Sequence, residues 1–209
     1  MSEETGIEKE EKSLEDIRKK AEERTCPVQK VLYLVEEFLA GPMCGRCFPC
    51  SLGSYEARIR LIRIGQHLEG VSSQDIAVLK RIGSQMFTAS FCKKGRDVGK
   101  FITETLESSL EEFDIHLAAI CHSKECIGLV EYIINPDLCV MCGRCSEVCK
   151  YDAVAGEKRE DDLSGYIPFE IRKKKCTRCG ECIKVCPTGA IELITTEVES
   201  PVSNLQHQT

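Results

Sequence analysis

The sequence predicts an α+β chain: an N-terminal helical bundle followed by a smaller α+β module. Three observations predict it. Apolar residues recur at helical spacing from Val28 to Leu117. The texture then changes at Tyr132-Ile133-Ile134, a short strand-like run closed by the turn signal Asn135-Pro136-Asp137. Beyond it, residues 139–157 align with 176–194 at an offset of 37, and every cysteine falls on a cysteine. The expected layout is a charged mobile arm over 1–25, a helical bundle over 26–130, the repeat module over 131–195, and a disordered tail over 196–209.

Taken in order, the arm carries a thin helical stripe at Leu14, Ile17 and Ala21, with Ser13 three residues before Asp16 as a capping signal. It reads as a short exposed helix. Residues 28–39 read as a helix ended by Gly41-Pro42. A cysteine loop follows. Helices are then expected near 53–68, 73–88 and 97–118. Leu61, Ile62, Ile64 and Leu68 carry the first, and Ile76, Leu79, Ile82 and Met86 the second. Phe101, Ile102, Leu106, Leu110, Phe113 and Leu117 carry the third. Gly70 and Gly95 punctuate the turns. In the repeat module, 157–165 reads as an exposed spacing loop.

Composition narrows the chemistry. Fifteen of 209 residues are cysteine. No apolar run is long enough to span a bilayer, and no secretory h-region follows Met1, so a cytosolic location is expected. In a reducing compartment, dense cysteine argues for metal rather than disulfides. The formal charge is −6 with thiols neutral. Three clusters held by four thiolates each, at roughly −2 apiece, would take it to about −12. That disfavours nucleic acid and anionic membranes. Gly95-Arg96-Asp97-Val98-Gly99-Lys100 is one residue short of a phosphate-binding loop and lacks the following Ser or Thr, so it is set aside.

The repeat carries C-x2-C-x2-C-x3-C twice, as Cys139, Cys142, Cys145, Cys149 and as Cys176, Cys179, Cys182, Cys186. Three thiolates from one tight loop can wrap three corners of an iron–sulfur cube, and the fourth reaches the other cluster. One [4Fe-4S] cluster is therefore expected on Cys139, Cys142, Cys145 and Cys186, and another on Cys176, Cys179, Cys182 and Cys149. Paired zinc knuckles are the alternative, but the tandem spacing suits iron–sulfur better. A third set opens with Cys44, Cys47 and Cys50, with Cys92 as the expected fourth ligand of a bundle cluster.

These motifs carry two resemblances. Residues 133–194, ending Cys186-Pro187-Thr188-Gly189-Ala190-Ile191, resemble bacterial-type two-cluster ferredoxins. Lys150 stands where that family usually has Pro; a cation there should raise the potential of the nearer cluster. Residues 28–118, with Cys44-Gly45-Arg46-Cys47-Phe48-Pro49-Cys50-Ser51-Leu52-Gly53, resemble the C-terminal iron–sulfur domain of complex I-type NADH-binding flavoprotein subunits. Related subunits occur in bifurcating hydrogenases and formate dehydrogenases. Met43 and Ser51 depart from that signature's Ser and Arg. The chain shows no Gly-rich motif of the FMN- and NADH-binding domain that the resemblance includes.

Cys26, Cys121 and Cys126 remain. With His116 they make three thiols and an imidazole, a common closed zinc set. Similar cysteines and histidine in the hydrogenase relatives imply a structural zinc; His122 is the rival ligand, and buried metal-free thiols are the alternative.

The expected role is an electron-transfer subunit with three [4Fe-4S] clusters and a zinc, in a cytoplasmic, anaerobic multisubunit oxidoreductase, itself without catalytic residues. Its expected partners are a flavin- or NADH-handling subunit, a catalytic metallo-subunit, and soluble ferredoxin. The alternative is a free-standing ferredoxin-type carrier. Arg172-Lys173-Lys174-Lys175 is either a guide for acidic partners or a solvated surface run.

Overall fold

In the computed structural model, the described residues are 13–158 and 167–195. The expected tail at 196–209, nearly all of the loop at 157–165, and the first twelve residues of the arm lie outside them. The chain divides into two units, Met1–Cys126 and Ile127–Thr209. The α+β class holds: the first unit is helical and the second joins two short helices to two small antiparallel sheets.

The first unit starts with α1 (Leu14–Glu22), whose Ser13 cap accepts the Asp16 N–H at 3.2 Å. The expectation of an exposed helix is not met, because Ile17 and Ala21 are both buried. Helix α2 (Pro27–Ala40) has proline in its first turn, where no intrahelical N–H is lost, and buries Val28, Val31, Leu34, Val35 and Phe38. Helix α3 (Phe48–Gln66) begins five residues earlier than the apolar stripe indicates, inside the cysteine motif, since Pro49 is compatible with a first turn. It stops at His67, which takes the left-handed conformation, so Leu68 falls beyond the helix and is exposed.

Helix α4 (Ser73–Ala89) is fixed at its start by Asp75. That carboxylate is 1 % exposed, accepts the Ser72 N–H at 3.0 Å and pairs with Arg60 Nη1 of α3 at 2.7 Å. The third expected helix divides into α5 (Lys93–Ser108) and α6 (Leu110–Leu117) at Ser109, whose backbone is non-helical. The Ser108 hydroxyl donates to the Thr105 carbonyl, the local competition by which serine weakens helix continuation. The break turns Leu110 to solvent while Phe113 stays buried.

The second unit expresses the sequence repeat as a repeated strand–helix–strand. Strand β1 (Val130–Ile134), α7 (Arg144–Val148) and β2 (Val154–Ala155) form the first half. Strand β3 (Glu170–Ile171), α8 (Glu181–Val185) and β4 (Ile191–Thr195) form the second. Pairing is exchanged between halves: β1 runs antiparallel to β4 with Tyr132 opposite Leu193, and β2 to β3 with Val154 opposite Ile171. Cys145, Val154, Phe169 and Ile191 form the core beneath.

Candidate metal centres

One local device recurs three times. Cys44-Gly45-Arg46-Cys47, Cys142-Gly143-Arg144-Cys145 and Cys179-Gly180-Glu181-Cys182 each hold a left-handed glycine, with φ of 69°, 79° and 77°. Only glycine enters this region at no steric cost, and the turn aims successive N–H groups inward, where they suit an anion. In every copy a helix starts at or next to the second cysteine: Cys47 caps α3, while Cys145 and Cys182 lie in the first turns of α7 and α8. The pairs Met141/Arg178 and Asp152/Gly189 also take positive φ at equivalent repeat positions.

In the bundle, α3 and α5 bring their N-termini to one place, because Cys47 caps the first and Cys92 the second. Cys47 and Cys50 are buried, Cys92 is half-buried and Cys44 is exposed. Burial, and then the neighbouring Cys47, Cys92 and Cys44, push the Cys50 thiol up to about 12. Four sulfurs thus share one electrostatic neighbourhood, and they can ionise together only against compensating cationic charge. Ser90, which the sequence did not single out, closes this site. Its hydroxyl is buried without a hydrogen-bond partner among the described residues. A Cβ on Gly95 would meet that hydroxyl at 2.8 Å and Cys50 Sγ at 3.1 Å, so glycine is what lets α5 approach.

The repeat unit holds two further cavities. Cys139, Cys142, Cys145 and Cys186 line the first, together with apolar Ile134, Phe169 and Ile191. Cys149, Cys176, Cys179 and Cys182 line the second, beside Tyr132, Val154 and Ile171. The fourth cysteine of each motif therefore faces the cavity of the other. Burial drives Cys145 up to about 11 and raises Cys182 as well. The Tyr132 hydroxyl is raised by burial and by Cys182, Cys176 and Cys179. Cys149 and Cys186 go the other way. Burial works against them, but backbone N–H groups at Cys149, and the Thr188 hydroxyl followed by backbone N–H groups at Cys186, outweigh it and leave both thiols below their usual value. The Ala153 N–H reaches Cys149 Sγ at 3.4 Å, and the Ala190 N–H reaches Cys186 Sγ at 3.2 Å. Such N–H···S bonds favour thiolate, the form that binds iron. The donor sets thus fit iron–sulfur cubes.

Cys26, His116, Cys121 and Cys126 form a fourth, fully buried cluster whose ligand atoms all lie within 4.8 Å of one another. Cys26 Sγ is 3.6 Å from Cys126 Sγ and 3.9 Å from Cys121 Sγ. A tetrahedron with Zn–S bonds of about 2.3 Å has an S···S edge of about 3.8 Å. His116 Nε2 stands 3.3 Å from Cys26 Sγ. Its Nδ1 lies 2.6 Å from the Glu112 carbonyl, which can only accept, so Nδ1 carries the proton and Nε2 offers its lone pair to the thiols. Gln29, another residue without a sequence signal, donates to Cys126 Sγ at 3.3 Å. His122 is exposed and pairs with Glu112 at 3.1 Å, away from the thiols. Hydrogen bonds within the set drive Cys121 down and Cys126 up, as expected of thiols too close to ionise together without a cation.

Comparison with known proteins matches residues 30–116 to the NADH-ubiquinone oxidoreductase-F iron-sulfur binding region. Residues 129–191 match the 4Fe-4S dicluster domain. The chain is 27 % identical over 140 residues, 66 % of its length, to the NADP-reducing hydrogenase subunit HndC of Solidesulfovibrio fructosivorans. The match covers 28 % of that relative.

Proposed function

From the premise that this chain joins an oxidoreductase-F-type iron–sulfur binding region to a 4Fe-4S dicluster domain, and so is an iron–sulfur electron-transfer protein, we propose that it is a three-cluster relay within a multisubunit oxidoreductase. The bundle centre uses Cys44, Cys47, Cys50 and Cys92. The dicluster centres use Cys139, Cys142, Cys145 with Cys186, and Cys176, Cys179, Cys182 with Cys149. The observation that carries this reading is the sorting of twelve cysteines into three four-sulfur groups, two of them around apolar cavities.

A bound cluster supplies one-electron redox capacity. The chain's part is to hold thiolates, limit water and set the potential through N–H···S contacts such as Ala153 to Cys149. The fourth buried set, Cys26, His116, Cys121 and Cys126, holds a structural zinc and ties α2, α6 and the following loop together. Among the described residues no helix is long and apolar enough to cross a membrane.

The partners fit the same reading: a flavin- or nicotinamide-handling chain on one side, and a catalytic metallo-subunit or ferredoxin on the other, in an anaerobic cytoplasm. Support comes from similarity to a subunit whose name records NADP reduction and hydrogenase assembly. The test is anaerobic purification from the native cell. The expected result is about twelve irons and twelve sulfides per chain, three low-potential EPR signals on reductive titration, and co-purifying oxidoreductase chains. A preparation with fewer than eight irons after reconstitution, or without any reducible signal, would overturn it.

A further inference from the structure

The bundle centre opens on a face that its own fold leaves uncovered. Phe48 and Phe91 flank the ligands Cys47 and Cys92 and are 79 % and 82 % exposed. From Phe48 an exposed apolar stripe continues along α3 through Leu52, Tyr55 and Ile59. The spacing of four, three and four residues keeps them on one helix face, over roughly 17 Å of helix length. Exposed aromatics gathered in this way mark interaction sites, and large side chains of this kind dominate interface energetics.

The charges are unevenly placed around that stripe. Along its length the arginines are already neutralised: Arg58 pairs with Glu36, and Arg60 with Glu56 and Asp75. At the cysteine end, Arg46, Lys93, Lys94 and Arg96 are exposed and have no ion-pair partner among the described residues. The pattern is an apolar stripe with an excess of cations at its cysteine end, where Lys93 and Lys94 also border a groove that holds Glu15 and Asp97.

We propose that this face docks an acidic electron-carrier protein whose redox centre lies near its surface. The proposal rests on the relay reading above and adds the place and the chemistry of one contact. Charge decides among occupants. A second copy of this chain docked by a two-fold axis would set the basic end against itself, and like charges across an interface cost affinity. An anionic bilayer would be met by basic residues along the whole stripe, yet there they are paired. An acidic partner is steered to the cysteine end, and the apolar stripe then excludes water beside the shortest route for the electron.

The probe is a small acidic ferredoxin, and two readouts are taken on the anaerobic, cluster-loaded full chain. One is equilibrium binding by titration calorimetry. The other is stopped-flow electron transfer from the prereduced ferredoxin. Both should weaken about tenfold from 20 to 200 mM salt, as steered encounters do. Arg46→Glu with Lys94→Glu should cost about tenfold or more. Ile59→Glu, about two and a half turns beyond Cys50 and exposed, should weaken binding at unchanged iron content; it keeps the test valid if the double variant loads poorly. Reduction by dithionite should be the same in all variants. Equal ferredoxin binding by wild type and both variants would overturn the docking face. So would losses confined to co-sedimentation with phosphatidylglycerol vesicles, or to self-association on ultracentrifugation. Intact binding with no dithionite-reducible centre would instead count against the relay reading.

Discussion

Gly83 and Gly99 meet across α4 and α5 with no room for a side chain between them. A Cβ on Gly99 would lie 2.6 Å from the Gly83 carbonyl oxygen, and one on Gly83 would lie 3.1 Å from the Gly99 carbonyl. The contact fixes how far α5 can slide, and α5 is capped by Cys92. Gly99→Ala should therefore destabilise the bundle by about 1–3 kcal/mol, the usual cost of overpacking. Urea denaturation of the anaerobic protein checks the energy, and iron content checks whether Cys92 has moved. An unchanged midpoint would mean that the helices separate freely here.

The Ser90 hydroxyl has no hydrogen-bond partner among the described residues and stands on the same side of Gly95 as Cys50 Sγ. With a cluster held by Cys50, this hydroxyl would be a hydrogen-bond donor available to it, and such a bond would favour the more negative, reduced state. Ser90→Ala should lower the bundle centre's midpoint potential by on the order of 30–60 mV, the electrical equivalent of one modest hydrogen bond. EPR-monitored redox titration reads this. The two dicluster signals serve as internal references and should not shift.

Cys149 and Cys186 face the cavities opposite to their own motifs. Cys186→Ala should therefore disturb the signal that Cys142→Ala disturbs, and Cys149→Ala the signal that Cys179→Ala disturbs. Mössbauer or EPR comparison of the four variants decides the matter. If each fourth cysteine affected its own loop's centre, the crossed assignment would be wrong.

The Cys26, His116, Cys121 and Cys126 set should hold one zinc per chain, measured by elemental analysis beside the iron. Removing it leaves buried thiols crowded without a counter-cation, so the first unit should lose thermal stability. Zinc retention should also fall as pH falls, because protons compete for three thiolates and the imidazole; a flat profile between pH 8 and 5 would argue against thiolate ligation. Cys126→Ala should lose the metal, whereas His122→Ala should keep it, since His122 points away to Glu112.

Much of this was legible in the chain itself, for identifiable reasons. Cysteine spacing sets side by side residues that line common cavities in the second unit, because a tight loop leaves three thiols little choice of direction. The 37-residue offset foreshadowed α7 and α8, which stand at equivalent positions. The start of α3 inside the cysteine motif was hidden because Phe48 and Leu52 face solvent, so burial periodicity does not mark that end. The break at Ser109 was hidden because Phe101, Leu106 and Phe113 keep a helical rhythm across it. Gly95 and Gly99 drew notice as part of a phosphate-loop-like run; packing against Ser90, Cys50 and Gly83 explains both, and contacts of that kind exist only after folding. Ser90, Gln29 and Tyr132 are ordinary residues whose roles come from where distant segments place them.

The short helix α7 begins beside Cys145 in one cavity and ends at Cys149 in the other, and α8 does the same from Cys182 to Cys186. Four residues of helix advance about 6 Å. With both cavities loaded, an electron passing between the two centres would have a pair of covalent bridges of equal length, related by the repeat. The length of each bridge would be fixed mainly by the helix backbone between its two cysteines. Duplication of one loop thus supplies, without further adjustment, two matched backbone paths, while Lys150 on one side and Pro187 on the other leave the two ends electrically unequal.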